Sequence, residues 1–109
     1  MAYDEQLAQR VRALLQQTSG IKDKKMFGGV AFLLHGNMAC GILNNDLIVR
    51  VGPAGYEDAL ALPHTRKSDI TGRAMKGWVL VSAKGYGSDK DLAAWVDRGI
   101  SFAGSLPKK

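Results

Sequence analysis

The sequence predicts a two-layer α+β fold, a mainly antiparallel sheet with helices packed against it in the order α-β-β-β-α-β-β-α. Three observations carry this. Apolar residues recur at helical spacing near both ends of the chain, the middle changes to short apolar runs, and those runs are separated by Gly36-Asn37 and Asn44-Asn45. Such dipeptides accept the positive φ angles of tight hairpin turns. With 109 residues, 46% hydrophobic and 23% charged, the chain has the size and balance of one domain, residues 1–109, around a single core.

The first helix is expected from about Asp4 to Thr18. There Leu7, Val11, Leu14 and Leu15 form a stripe opposite Arg10, Arg12, Gln16 and Gln17, and Ser19-Gly20 supplies a stop. From Lys24 to Val51 three strands follow as a meander. With two-residue turns at both dipeptides, Phe32 faces Gly41 and Gly41 faces Ile48, while Leu33 faces Cys40 and Cys40 faces Val49. That register sends Ala31, Leu33, Met38, Cys40, Ile42, Leu47, Val49 and Val51 to a helix-covered face. It turns Phe32, Leu34, Ile48 and Arg50 to the other face, which is too apolar for water. These four are the candidate protein-interaction face, for a protein partner or for a second copy in a homodimer.

Pro53 fits the first turn of a short second helix carrying Tyr56, Ala59 and Leu60, which Pro63 ends. Trp78-Val79-Leu80-Val81 reads as a strand, with the stretch from about Arg66 to Ile70 as its pairing partner. The last helix opens at Ser88-Asp89-Lys90-Asp91, where the serine hydroxyl can accept a backbone N–H and the acids favour the positive helix end. Leu92, Trp95, Val96, Ile100 and Ala103 continue it as one apolar stripe.

Nucleophilic catalysis needs a Ser, Cys or Lys beside a base, and metal catalysis needs several convergent ligands. Neither pattern is visible, so no enzyme, no cofactor and no metal are expected. His35 and His64 read as solvated turn and loop residues. Cys40, the one cysteine, lies among apolar neighbours and reads as a buried structural thiol. Met26-Phe27-Gly28-Gly29 stands at a strand entrance, whereas a phosphate loop leads into a helix. The segment is therefore read as structural, its glycines permitting a bulge or close backbone approach and Met26 and Phe27 anchoring the core.

The net charge of +5 admits polyanionic partners. Lys24, Lys25, Arg73 and Lys76 form the candidate basic rim for nucleic acid, if both regions meet at one sheet end. No apolar run approaches the roughly 20 residues that cross a bilayer, and the N-terminus has no leader pattern. No membrane association and a cytoplasmic location are expected.

The order of these motifs resembles the bacterial TfoX N-terminal domain family, also called TfoX/Sxy. The residues that carry the resemblance are Lys24-Lys25-Met26-Phe27-Gly28-Gly29, Gly36-Asn37-Met38, Asp46-Leu47-Ile48-Val49-Arg50-Val51 and Thr71-Gly72-Arg73-Ala74-Met75-Lys76-Gly77-Trp78. It implies an α+β domain which, in longer members, belongs to regulators of natural competence acting with the cyclic-AMP receptor protein at promoters. This chain is expected to be a stand-alone form without their helical C-terminal domain. The resulting expectation is a non-enzymatic regulatory binding module with a transcription-related protein partner. The alternatives are a nucleic-acid-binding accessory protein using the basic rim, and a small-ligand sensor or enzyme with a pocket near Met26 to Gly29, Cys40 and Arg50.

Overall fold

In the computed structural model, which describes residues 4–26, 28–68 and 76–108, helix α1 spans Glu5–Leu15. The Asp4 carboxylate caps it, accepting from the backbone N–H groups of Gln6 and Leu7 at 3.0 and 3.2 Å. Strands β1 (Ile21–Met26), β2 (Gly29–Leu34), β3 (Asn37–Leu43) and β4 (Asp46–Arg50) follow. That is one strand more than the meander read from residues 24–51. Helix α2 (Tyr56–Leu60), strands β5 (Thr65–Lys67) and β6 (Trp78–Val81), and helix α3 (Asp89–Gly104) complete the fold. Ser88 caps α3, its hydroxyl accepting from Asp91 N–H at 3.1 Å.

The strands form an antiparallel sheet in the order β1-β2-β3-β4-β6-β5. Leu7, Ala8 and Val11 of α1, Tyr56 and Ala59 of α2, and Leu92, Trp95 and Val96 of α3 share one cluster with Val30, Phe32, Cys40, Ile42, Leu47, Val49, Val79 and Val81. All three helices therefore cover the same sheet face. The α+β class and the antiparallel sheet agree with the sequence reading, and so does the pairing of Cys40 with Val49 and Gly41 with Ile48.

The β2–β3 register differs from the expected one. The tight turn is His35-Gly36, with φ of 50° and 87°, so Leu34 pairs with Asn37 and Leu33 with Met38. Sliding a turn by one residue moves the pairing by two, which leaves the faces unchanged. The faces change because the register shifts again between Phe32 and Leu33, with Ala39 as the extra residue, so that Phe32 pairs with Cys40, Ala31 with Gly41 and Val30 with Ile42. A β-bulge of one residue exchanges the two sides of a strand. Val30, Phe32 and Leu34 consequently belong to the helix-covered side, where Phe32 is 1% exposed and Leu34 packs with Ala39 and Ala103. Ala31 and Leu33 take the opposite side.

Phe32 and Leu34 thus do not share a surface with Ile48 and Arg50, and the four residues do not form one interaction face. The second face is also less open than expected. Ile48 and Leu80 are 5% and 4% exposed, and the Met38 side chain lies over Gly41, its Cε 2.9 Å from where a Gly41 Cβ would stand.

Candidate functional site

Arg50 ends β4 and stands directly across the ladder from Trp78, the first residue of β6. The chain leaving β4 is fixed at this point. Val51 N–H and Gly52 N–H both donate to the Gly77 carbonyl, at 2.8 and 3.0 Å, and Gly52 and Gly77 hold φ of 82° and 95°, where glycine has no steric penalty. Phe102, near the end of α3, lies against Gly52 so tightly that a Cβ there would overlap its ring. These contacts bring strand, strand and helix together around one cation.

The Arg50 guanidinium carbon is 5.1 Å from the centre of the Trp78 ring and 5.3 Å from that of Phe102. Both distances are within cation–π reach. Arg50, Trp78 and Phe102 are each half-buried. Among the described residues the ion pairs are Arg10–Asp89, Arg12–Asp23 and Arg66–Asp46, and none involves Arg50. A guanidinium offers its flat faces to rings and its N–H edge to oxygen acceptors. At Arg50 the rings engage the cation, and among the described residues no acceptor takes the edge. Phe102 also lines a shallow groove of about 520 Å³ with Val51, Ala94, Asp97, Arg98 and Ser105.

The other residues singled out from the sequence lie elsewhere. Lys24 and Lys25 are exposed on edge strand β1, toward the end that holds the β3–β4 turn, whereas Lys76 precedes β6 at the opposite end. Four strand spacings, roughly 19 Å, separate β1 from β6 across the sheet. These lysines do not make one patch, and Arg73 lies outside the described residues. Gly29 is at the Lys25 end, with its α-carbon facing the Ile42 carbonyl so closely that a Cβ would overlap the oxygen. Met26 pairs with Gly29 along the backbone, Gly28 holds φ of 75°, and Phe27 lies outside the described residues.

A single pocket joining Gly29, Cys40 and Arg50 is not formed, because Gly29 and Arg50 stand at opposite sheet ends and Cys40 is fully buried between helices and sheet. Burial pushes the Cys40 thiol up to about 12. His35 is half-buried with its ring against Gly20, not solvated, while His64 is exposed at the other end of the sheet, just before β5. No group of His, Cys, Asp and Glu among the described residues could hold a metal ion.

Sequence reasoning counted Arg50 in a candidate interaction face but missed Trp78 and Phe102 as its companions. The available signal was the aromatic at the start of the β6 run. Using it requires the β4–β6 pairing, which spans a helix and a long connection.

Fold and site together define an antiparallel α+β domain with helices on one face and an arginine–aromatic cluster at one sheet end. A family model, the TfoX N-terminal domain, matches residues 13–103 of the 109-residue chain, and the chain belongs to that family. No curated protein and no solved structure matches it. No helix among the described residues is long and apolar enough to cross a membrane.

Proposed function

We propose that this chain is a non-enzymatic regulatory binding module that engages a protein partner of the transcription machinery through the Arg50 end of its sheet. The observation that carries the reading is the convergence of Arg50, Trp78 and Phe102 from three elements onto one half-exposed cluster. Arginine and aromatic residues dominate the energetic centres of protein interfaces because they combine large apolar area with directional donors. Family membership supports a role of this kind, and the separation of His35, His64 and Cys40 from one another supports a role without catalysis.

The test compares the full chain with Phe102→Glu as baits in nuclease-treated extract, followed by reconstitution of any captured protein in purified form. A purified partner bound by the parent and at least tenfold more weakly by a folded Phe102→Glu is the expected result. Equal binding by both baits would remove the cluster from the function. Recovery that disappears with nuclease would move the reading to nucleic acid.

A further inference from the structure

We infer that Arg50 is the receptor for a singly charged carboxylate, supplied either by a small organic acid or by an acidic side chain of a partner. This rests on the reading above and names the chemistry that the cluster recognises. Trp78 and Phe102, at 5.1 and 5.3 Å, orient the guanidinium without using its N–H groups, so the entropy of positioning the fork is spent before a ligand arrives. A pre-oriented fork suits a planar acceptor with two oxygens, which it meets by two parallel hydrogen bonds.

The surroundings set the charge of the ligand. Helix α3 ends at Gly104, two residues beyond Phe102, and the exposed carbonyls of a helix C-terminus disfavour anions. Asp97 lines the adjoining groove and adds to that repulsion. Lys76, next to Gly77, is the cation that the backbone places nearest in sequence to this end of β6. Arg98 lines the same groove with its guanidinium carbon 5.3 Å from the Trp95 ring and offsets Asp97, so the preference for a planar carboxylate over a phosphate dianion or a nucleic-acid backbone rests on the single pre-oriented fork and the neighbouring helix C-terminus. The groove beside Phe102 is walled by Val51 and Ala94, so the carbon skeleton behind the carboxylate has apolar surface to lie on.

The experiment follows the Arg50 side-chain N–H and the Trp78 indole N–H in nitrogen–proton spectra of the isotope-labelled full chain. The probes, at constant ionic strength, are sodium acetate, a blocked alanine-aspartate-alanine tripeptide, inorganic phosphate and sodium chloride. Saturable shifts of both signals with the carboxylates, at least fivefold weaker in Arg50→Lys, are expected. A tripeptide bound at least fivefold more tightly than acetate identifies a protein source, and equal affinity identifies a free acid.

Phosphate binding as tightly as the carboxylates, or shifts that stay linear and match those of chloride, would overturn the assignment. If Arg50→Lys does not fold, the residue-resolved shifts of the parent still locate the ligand. The titration uses purified protein alone, so it can fail while partner capture succeeds, and the reverse.

Discussion

The carbonyl oxygen of Ala39 and the α-carbon of Gly99 approach so closely that a Cβ on Gly99 would overlap the oxygen. Ala39 is the bulged residue of β3, and Gly99 is the point where α3 crosses it. The bulge pushes a carbonyl toward the helix, and only a residue without a side chain lets the helix lie down on the sheet.

Gly99→Ala should therefore destabilise the fold even though alanine is the better helix former by about 1 kcal/mol. Overpacking against backbone typically costs about 1–3 kcal/mol, so a net loss in urea unfolding is expected. Gly104→Ala is the internal comparison. A Cβ there would rest 3.5 Å from Leu34 Cδ2, an ordinary contact, and a gain of about 0.5 kcal/mol is expected. Equal effects of the two changes in the same helix would contradict the close approach at Ala39.

Gly29→Val should lower stability by about 1–3 kcal/mol, because the added β-carbon meets the Ile42 carbonyl rather than a side chain that can move aside. The melting temperature of Gly29→Val and of Gly29→Ala reads this. A variant that melts with the parent would show that the β2–β3 spacing is wider at this position.

The outline of this fold was legible because local rules dictate it. Asp4 and Ser88 cap where their side chains say they should, and Asn44, with φ of 55°, makes the β3–β4 turn where the Asn-Asn dipeptide stands. The bulge at Ala39 was not legible. No glycine or proline marks it, and it coincides with a tertiary contact to Gly99, sixty positions away in the chain. Because one extra residue exchanges the faces of β2, that single omission sent Phe32 and Leu34 to the wrong side and created an interaction face that does not exist as one surface. Arg50 was read as one residue of that face. Its companions depended on the non-local β4–β6 register and on the reach of Phe102 from α3.

Cys40 makes stability depend on alkaline pH. Its thiol is held up to about 12 by burial, against 9.0 for the free group. Between these values the unfolded chain gives up its proton and the folded one does not, so unfolding is favoured progressively as pH rises through this window and the contribution is intact below it. One pH unit above the unfolded value the loss is about 1.4 kcal/mol. Tyr86 acts in the same direction, its hydroxyl raised by burial and by the charges of Asp4 and Asp46, with Arg10 opposing. Urea unfolding at pH 8 and pH 10 should show the parent losing stability, with a smaller loss in Cys40→Ala. An unchanged slope in that variant would assign the effect to Tyr86 alone. At pH 8 the native thiol should also resist a labelling reagent that modifies the unfolded chain rapidly.

The position of Phe32 separates the observed register from the one that the turn dipeptides suggest. In a surface patch, Phe32→Glu would leave a folded protein and at most dissociate a dimer. In the core, at 1% exposure and paired across the ladders with Asp23 and Cys40, the same change buries a carboxylate. Arg12 stands over the ring, 5.9 Å from its centre, and already holds Asp23 at 2.8 Å, so two carboxylates would compete for one guanidinium. Leaving a buried charge without a full partner costs about 3–5 kcal/mol, and the lost aromatic packing adds to it. Phe32→Glu should therefore fail to give a cooperative unfolding transition, while Phe32→Leu, which keeps an apolar side chain of similar reach, should fold with a loss of about 1.5 kcal/mol. Circular dichroism with sedimentation decides between the registers. A well-folded Phe32→Glu monomer would mean that the bulge at Ala39 is absent and that β2 presents its other side to the helices.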